Sequence, residues 1–589
     1  IEEVGRMYWP ELTETSRTRY MTSVFGGLNH NLKINDGEWY DEKNLGASHY
    51  PLFSQRARRG TVLTAENPLG MLAKDALMYI DGSTLYFNGL PVSGVTLDAD
   101  KVPKQMVSMG AYAVIFPDRV YVNTKDLTDC GRLDAAYTSV GSISYTPCTL
   151  DGAAITPTVS EAEPASPNVG DYWVDTSGSK HILKVYTSTL GWQEIATTYV
   201  KIGAKGIGTN FGEYDGVTIS GAEVESLNGD YVLYGVGADY VIVAALIDQA
   251  TNQTTGSISL KREAPEMDYV CEANNRLWGC KYGFVDGQTI NEIYACKLGD
   301  FKNWRCYMGL STDSYAVSLG TDGKFTGAIT LQGYPLFFKE GCIHKIYGSM
   351  PSQYQVNTTM CRGVMDGCAE SLCIVNERLY YKSRSDVCVY DGSLPTGISD
   401  ALGTDSYDGA AAGAQGSVLY ISMRNVATNA WSLFTYDTSK SIWHKEDGTH
   451  ASHFAAVRGD LLYIDADTNK IMSATGMSGD AENAVSWNAE SGMMGYEMAD
   501  QKYTSRYCVR AKLGPGASIT LRIEYDSDGV WHDQGIWTGA AETGSIGSVT
   551  MPVIPRRCDH FRVQISGTGD VKLYSIARYY EGGSDQAWR

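Results

Sequence analysis

The chain has 589 residues, among them 63 glycines and 39 tyrosines, and its formal net charge is -20. Such a charge excludes a protein that coats DNA nonspecifically, because that role needs lysine and arginine to neutralise phosphates. The length corresponds to several domains. So many glycines and tyrosines favour turns and amphipathic strands over long helices.

The 13 cysteines show no short paired spacing with histidine, which a structural zinc site would need. We therefore predict no metal and no cofactor. We interpret the cysteines as buried thiols of a protein made in a reducing cytosol. No apolar run is long enough to span a bilayer, and no signal peptide is visible. The first residue is isoleucine rather than methionine, so we leave open whether the natural start of the chain is missing or has been removed.

Residues 1–147 predict an N-terminal arm followed by the first blades of a repeated β-fold. The first strand–turn–strand phrase turns at Asp81-Gly82, which is a strong signal for a tight hairpin. A second phrase of the same kind spans residues 111–123. Both phrases are typical of the small sheets that make up a β-propeller.

A basic cluster stands out in the N-terminal arm of this acidic protein. It consists of Arg56, Arg58 and Arg59. One interpretation is a solvated turn. The other is a contact to an acidic partner or to nucleic acid, because arginine forms paired hydrogen bonds with carboxylate and phosphate groups.

Two inserted segments interrupt the repeat. Residues 148–200 begin with a linker rich in proline, serine and alanine and continue as a small three-stranded aromatic module. Trp173 and Trp192 of this module either stack on a sugar ring or form the core of a domain too small to have another. Residues 201–265 predict a second β-rich insertion. Glycines are frequent there, but no strand-then-helix context supports a phosphate-binding loop.

The repeat resumes over residues 266–480. Its leucine anchors, each followed by a tyrosine or phenylalanine, lie about forty residues apart, at Leu336, Leu379, Leu419 and Leu462, which is the period of four-stranded propeller blades. A single sheet of this size cannot cover both of its faces, so stacking the sheets radially would bury each face on the next. With the two early phrases the count is about seven blades.

Residues 481–589 predict a C-terminal β-sandwich. Ile519, Leu521, Ile523 and Tyr525 alternate with polar residues, so one face of this strand is buried. The predicted fold class is therefore all-β: a propeller with an inserted β-rich region, followed by a sandwich.

No nucleophile elbow, zinc-protease motif or phosphate loop occurs in the sequence. Histidines lack a third metal ligand nearby, and we interpret them as structural or surface residues. A glycosidase would need two carboxylates facing each other across a cleft. Aspartates are frequent in predicted turns, where they cap the turn in any β-protein: Asp300, Asp313, Asp322, Asp391 and Asp405. We predict no catalytic residues and a chain that is not an enzyme.

The motifs of the repeat resemble those of a known group of proteins. Residues 275–304 contain Asn-Arg-Leu-Trp, then Ile-Tyr-Ala-Cys, then Leu-Gly-Asp-Phe-Lys-Asn-Trp. This order resembles phage virion proteins with a propeller fold, such as the tail nozzle and DNA-stabilising tail proteins of short-tailed phages. The resemblance covers residues 270–475 well and implies a non-enzymatic ring, often of six copies, below the portal and adaptor proteins and around the DNA exit channel.

The leading hypothesis from sequence is therefore a structural protein of the virion tail, most similar to a tail nozzle subunit. DNA would pass through the acidic lumen of its homo-oligomeric ring without specific binding during ejection. The first alternative is a receptor- or glycan-binding tail protein that uses Trp173 and Trp192. The second alternative is a propeller glycosidase, since propellers also host such enzymes.

Overall fold

The computed structural model of the chain describes residues 17–285, 287–495, 501–539 and 546–582. Within these ranges the chain is all-β and has no α-helix, which confirms the predicted class. Helical turns there are five short 3-10 segments: Ala47–His49, Glu225–Leu227, Pro351–Gln353, Ala369–Ser371 and Asp400–Leu402. The same ranges hold no helix with the length and apolar character of a membrane span.

The chain divides into two compact units. The first unit comprises residues 1–73 and 364–589, and the second comprises residues 74–363. The strand Pro68–Lys74 spans the division. Each unit contains repeated four-stranded sheets together with a further β-domain.

The second unit contains four antiparallel sheets of four strands, each in chain order. The first, which begins in the strand that spans the division, consists of Pro68–Lys74, Ala76–Asp81, Thr84–Phe87 and Leu90–Pro91. The second consists of Gln105–Met109, Tyr112–Phe116, Val120–Asn123 and Asp126–Arg132. The third consists of Tyr269–Ala273, Arg276–Val285, Gln288–Ala295 and Tyr315–Ser318. The fourth consists of Gly327–Leu331, Tyr334–Lys339, Cys342–Tyr347 and Gln355–Met360.

Consecutive sheets of the second unit cover each other's faces. Leu277 of the third sheet is buried with Val114 of the second sheet, in one apolar cluster. Its neighbour in sequence, Trp278, points to the opposite face and is buried with Phe337 of the fourth sheet. Because successive side chains of a strand alternate between faces, one strand supplies both clusters. The neighbouring sheets therefore cover apolar side chains on both faces of the third sheet.

Two turns of the repeat, before Leu277 and before Leu379, contain asparagine in the left-handed conformation. Asn274 and Asn275 both have positive φ, at 54° and 58°. Asn376 and Glu377 occupy the same place in the first unit, with φ of 47° and 64°. Two consecutive positive φ values define the two-residue turn that matches the twist of a β-hairpin, and asparagine tolerates this conformation better than most residues.

The insertion in the second unit forms two further sheets. An eight-stranded sheet has the order Ala135–Thr138, Ser259–Arg262, Gly216–Ser220, Gly229–Gly237, Tyr240–Ala244, Tyr199–Gly203, Ile143–Cys148 and Thr251–Gln253. The aromatic module has four strands rather than the predicted three: Thr158–Ser160, Tyr172–Asp175, Ile182–Thr187 and Gly191–Glu194. The module leaves and rejoins the larger sheet between Cys148 and Tyr199, which pair directly.

The first unit contains three more sheets of the repeated kind. One consists of Cys373–Val375, Arg378–Lys382, Val387–Tyr390 and Thr396–Gly397. The next consists of Tyr407–Gln415, Val418–Asn425, Trp431–Asp437 and Ile442–Asp447. The last has the order Ala451–Val457, Asp460–Asp465, Lys470–Ser473, Gly60–Thr64 and Asp480–Ala481. Its strand Gly60–Thr64 comes from the N-terminal part of the chain and is antiparallel to Lys470–Ser473.

The sandwich of the first unit consists of two five-stranded sheets over one shared core. One has the order Arg17–Thr22, Val571–Gly582, Lys502–Leu513 and Ile546–Pro552, with Phe53–Ser54 also paired to Val571–Gly582. The other has the order Asp41–Lys43, Ser486–Glu490, Phe561–Thr568, Ser518–Tyr525 and His532–Thr538. A short parallel pair, Gly27–Leu28 with Glu38–Trp39, precedes Asp41–Lys43. The sandwich therefore includes N-terminal strands that the sequence prediction of residues 481–589 did not include.

Candidate functional site

An open polar pocket of about 140 Å³ lies in the first unit, at the end of the sheet formed by residues 407–447. We call it the polar pocket. Its lining combines charged, amide and hydroxyl side chains with aromatic rings: His30, Asp41, Asp405, Tyr407, Asn425, Thr428, Ser432, Phe434 and Lys445. These residues come from two parts of the chain that are more than 350 residues apart.

A turn positions the amide of Asn425 in the polar pocket. The strand Val418–Asn425 ends there, and the chain reverses into Trp431–Asp437. The Asn425 Oδ1 atom accepts hydrogen bonds from the backbone N–H groups of Ala427 and Thr428, at 3.0 and 3.1 Å. This is the local cap for which asparagine is favoured in turns. The Nδ2 group is thereby held toward the pocket.

Asp405 and Tyr407 form one side of the polar pocket. The Asn425 Nδ2 group donates to Asp405 Oδ2 at 3.0 Å, and the Tyr407 hydroxyl lies 3.5 Å from the same oxygen. Burial raises the pKa of Tyr407 to about 12, with a further contribution from the negative charges of Asp405 and Asp41. The Tyr407 hydroxyl therefore keeps its proton at neutral pH and can donate one hydrogen bond, either to Asp405 or to a ligand.

Asp41 and Lys445 form the opposite side. Asp41 begins the strand Asp41–Lys43, which pairs with Ser486–Glu490 of the sandwich. Lys445 lies on Ile442–Asp447, and its Nζ atom donates to Asp41 Oδ1 at 2.9 Å. The next residue, Glu42, is 1% exposed and is hydrogen-bonded through Oε2 to His444 Nδ1 at 2.9 Å. These contacts fix the strand of Asp41 against the sheet.

Aromatic rings supply the apolar part of the polar pocket. Tyr407 meets Phe434 edge to face, with ring centroids 5.6 Å apart. The His30 ring stacks on Tyr40 at 4.3 Å, and His30 Nδ1 donates to the Tyr40 carbonyl at 2.8 Å. The His30 backbone N–H donates to Ala401 at 2.7 Å, which holds the N-terminal segment at the pocket.

The polar pocket can bind a small hydroxylated molecule. Asp405 Oδ1 and Asp41 Oδ2 make no hydrogen bond to other described residues, so both can accept one from a ligand. An engineered cavity of about 150 Å³ holds benzene, so a pocket of about 140 Å³ has room for one six-membered ring. Hydrogen-bonding groups around an aromatic wall are the usual composition of a binding pocket.

Sequence reasoning named one residue of the polar pocket and missed the others. Asp405 appears among the turn aspartates of a possible glycosidase. Asp41, Tyr407, Asn425 and Lys445 have no motif around them that indicates a shared site. The pairing of Asp41–Lys43 with a strand near residue 490 brings them together, and no local pattern in the sequence shows that pairing.

The predicted basic cluster is mostly internal. Arg56 and Arg59 are 7% and 4% exposed. Arg59 donates to Glu446 Oε2 at 2.6 Å and to Asp447 Oδ2 at 2.8 Å. The Arg56 guanidinium is paired with a carboxylate of the same unit, Glu482. These two guanidinium groups therefore bind carboxylates of their own chain. Of the three arginines, Arg58, with a side chain 47% exposed, keeps the predicted contact to an acidic partner or to nucleic acid as a prediction.

The two tryptophans singled out from the sequence differ in burial within the aromatic module. Trp173 is 5% exposed, and its Nε1 group donates to the Ser160 carbonyl at 3.0 Å. Trp192 is half-buried, and its ring lies edge-on to Trp173 at 5.5 Å and to Tyr186 at 5.3 Å. The structure thus gives Trp173 a core position and leaves a sugar contact by Trp192 as a prediction.

Replacing Trp173 by alanine is expected to open the module locally. Removing a buried indole leaves a cavity, which costs about 3–5 kcal/mol, and a module this small has little other apolar core. Hydrogen exchange of residues 158–194 should become fast, whereas Trp192→Ala should change it much less. Equal exchange in the two variants would contradict this division of roles.

The histidines have separate partners rather than a shared centre. His344 is fully buried between Thr358 and Thr321, at 2.9 and 3.1 Å, and burial lowers its pKa to about 4. His450 stacks on Trp431 at 3.6 Å. Among the residues that the structure describes, no three histidine, cysteine or acidic side chains form a group that could hold a metal ion. His344 is structural, as the sequence predicted.

No model of a known protein family matches the chain. No curated protein matches it either.

Solved structures match the chain at low sequence identity. An exo-beta-1,3-galactanase from Phanerochaete chrysosporium is 6% identical, with 52% of this chain and 94% of that chain covered and a TM-score of 0.20. A family 43 arabinoxylan arabinofuranohydrolase from Bacillus subtilis is 10% identical, with the same coverages and a TM-score of 0.19. The endosialidase of phage phi92 is 10% identical, with coverages of 97% and 70% and a TM-score of 0.21.

These matches correct one prediction from sequence. The sequence predicts a chain that is not an enzyme, and this comparison contradicts that prediction, because the matched structures include glycoside hydrolases. The endosialidase is a phage protein. This match agrees with the prediction of a phage protein in general, but it does not bear on the predicted tail-nozzle role. With TM-scores below 0.5, these matches carry no conclusion about the substrate or reaction of this chain.

Proposed function

We propose that the chain binds a glycan in the polar pocket. The observation that carries this proposal is the meeting of Asp405, Asn425, Tyr407, Asp41 and Lys445 around one small open pocket with an aromatic wall. A sugar presents neighbouring hydroxyls, each of which donates and accepts, above a ring with apolar C–H faces. Carboxylates, an amide, a phenol and an ammonium together match donors as well as acceptors, and the half-buried Tyr407 ring offers an apolar surface.

Glycoside hydrolysis is the second candidate function. Two carboxylates, Asp41 and Asp405, line the same pocket, and both act on the pKa of Tyr407, so both lie near its hydroxyl. A pair of carboxylates is the minimum that acid–base hydrolysis of a glycosidic bond requires. The two carboxylates differ in their surroundings, because Asp41 Oδ1 accepts a hydrogen bond from the Lys445 ammonium at 2.9 Å, whereas Asp405 Oδ2 accepts one from the neutral amide of Asn425 at 3.0 Å.

We further propose that the chain is a receptor- or glycan-binding protein of a phage tail and is therefore part of the virion. The resemblance of residues 270–475 to phage virion proteins supports a place in the virion, and the polar pocket supports the binding role. A homo-oligomeric ring of six, contacts to portal or adaptor proteins, and passage of DNA through the ring stay predictions. The tail-nozzle role has no support from the polar pocket. Imaging of particles that contain the chain tests all of these.

We infer that the repeated sheets are propeller blades. Within the second unit, Leu277 and Trp278 show that one sheet is covered on both faces by the next sheets, as blades are. The count of about seven blades and closure into one ring stay predictions.

Glycan binding should weaken when the polar pocket loses one of its hydrogen-bonding groups. Asp405→Asn and Tyr407→Phe are each expected to weaken binding at least about tenfold, because each removes a hydrogen bond that involves a charged or buried group. The whole chain is first screened on a glycan array, and the affinity for the best glycan is then measured by calorimetry. Glu370→Gln, an exposed carboxylate elsewhere in the first unit, is the matched control.

Three outcomes decide between the functions. Unchanged affinity in Asp405→Asn and Tyr407→Phe, with loss in Trp192→Ala, would move the glycan site to the module. Release of new reducing ends from the bound glycan, abolished by Asp41→Asn and by Asp405→Asn, would establish hydrolysis. Turnover that persists in both variants would exclude the polar pocket as its site.

A further inference from the structure

The charges that line the polar pocket do not balance. Asp41 and Lys445 form an ion pair, because Asp41 Oδ1 accepts a hydrogen bond from the Lys445 ammonium group at 2.9 Å. Asp405 has only neutral partners among the described residues: Asn425 Nδ2 donates to it at 3.0 Å, and the Tyr407 hydroxyl lies 3.5 Å away. The pocket therefore contains one carboxylate whose negative charge no cation of the described residues offsets.

The other basic side chains near Asp405 have partners of their own. Arg424 donates from Nε and from Nη2 to the two carboxylate oxygens of Asp408, at 2.8 Å each. A paired contact of this kind engages the guanidinium group strongly. His30 lines the polar pocket, but its Nδ1 group donates to the Tyr40 carbonyl at 2.8 Å. Because Asp405 itself is exposed, a ligand can reach its unbalanced charge.

A ligand that carries a positive charge complements this carboxylate. A sugar hydroxyl donates one hydrogen bond to Asp405, whereas an ammonium group offers several donors and also the missing charge, and charge-assisted hydrogen bonds are the stronger kind. The Tyr407 ring lines the same pocket, and aromatic rings attract cations. A sugar with a carboxylate, by contrast, would meet Asp405 as a like charge, which disfavours binding.

We propose that the glycan bound in the polar pocket contains an amino sugar, a hexosamine with a free amine, whose ammonium group pairs with Asp405. This inference rests on the proposed function and narrows its substrate class. The net charge of -20 acts in the same direction, because it attracts cationic glycans and repels acidic ones. Asp405 is then the residue that distinguishes an amino sugar from its neutral and acidic counterparts.

Matched tetrasaccharides test the substrate class. The full chain is titrated by calorimetry with oligomers of glucosamine, N-acetylglucosamine, glucose and glucuronic acid, and with the corresponding galacto series, in mildly acidic buffer that keeps the amine protonated and aspartate ionised. The free amino sugar should bind at least about fivefold tighter than its N-acetylated and neutral counterparts, since hydrogen bonds to charged groups contribute more than neutral ones. The acidic oligomer should bind most weakly.

Two variants assign the preference to one carboxylate. Asp405→Asn keeps the size of the side chain and removes its charge, so the amino sugar should then bind no tighter than its neutral counterparts. Asp400→Asn alters an exposed carboxylate a few residues earlier that does not line the pocket, and it should keep the preference. Added salt should narrow the preference of the original chain, because it screens attraction between exposed charges.

The outcomes separate this inference from the proposed function. Equal affinity for the amino sugar and its neutral counterparts, tighter binding of the acidic oligomer, or a preference that persists in Asp405→Asn would overturn the amino-sugar assignment. If the preferred glycan nevertheless loses affinity in Tyr407→Phe, glycan binding in the polar pocket would stand. If no glycan binds the full chain, or if binding is unchanged in both Asp405→Asn and Tyr407→Phe, both proposals would fail.

Discussion

Arg59→Ala should lower the free energy of unfolding of the first unit by about 3–5 kcal/mol, the cost of removing one partner from a buried ion pair. The Arg59 guanidinium is 5% exposed and contacts Glu446, which is 4% exposed, and Asp447. Although burial alone would raise the pKa of Asp447, Arg59 holds it below its ordinary value. Without Arg59, buried carboxylates lose the charge that balances them.

The neighbouring Arg58 provides a matched control. Its side chain is 47% exposed, and its contact with Asp570 measures 3.8 Å. An exposed pair of this kind contributes about 0–1 kcal/mol, so Arg58→Ala should melt almost like the original chain. Thermal melts followed by circular dichroism compare the two variants. Similar melting temperatures for Arg58→Ala and Arg59→Ala would show that the ion pairs do not stabilise the fold.

The second large effect is expected from Gly567→Ala in the sandwich. Gly567 lies on Phe561–Thr568, where a Cβ atom would stand 1.9 Å from the Ser518 carbonyl oxygen and 2.5 Å from the Trp487 ring. Neither the backbone oxygen nor the buried indole can move aside without disturbing the core. We expect a loss of about 3 kcal/mol, at the upper end of the usual cost of overpacking.

Gly535→Ala is the control for this site. Gly535 lies on His532–Thr538 of the same sheet, and a Cβ atom there would be 3.9 Å from its nearest neighbour, in Met551. Stability should stay the same or rise by up to about 1 kcal/mol, since alanine restricts the unfolded chain more than glycine does. Near-ultraviolet circular dichroism during urea unfolding reports on both variants. Equal urea midpoints for Gly567→Ala and Gly535→Ala would mean that the sandwich accommodates the added methyl group at position 567.

Local patterns predicted much of the β-structure. The alternation at Ile519, Leu521, Ile523 and Tyr525 is confirmed, because all four side chains are 0–2% exposed in the sandwich core. The first leucine of the repeat, Leu277, is fully buried between sheets. A strand with one buried face must alternate, so such patterns are visible without knowledge of the partner strand.

The candidate site was largely invisible to the same reasoning. Asp405 could be named as a turn carboxylate, but nothing near it in the sequence indicates Asp41 as its neighbour across the polar pocket. The basic cluster shows the same limit, since the pattern around Arg59 cannot tell an exposed arm from a buried ion pair. Pairing with Glu446 depends on the strand Gly60–Thr64 joining a sheet more than 400 residues later in the chain.

The sequence by itself determined that this chain is built of strands, where its turns lie and which side chains face inward. Those properties depend on neighbours within a few residues, through backbone conformation and the two-residue period of a strand. Only the tertiary structure decided that N-terminal strands complete the sandwich and the last repeated sheet, and that two distant carboxylates share one pocket. Backbone hydrogen bonds between strands are chemically the same whatever the sequence separation, so the choice of partner lies in long-range packing rather than in any local stretch.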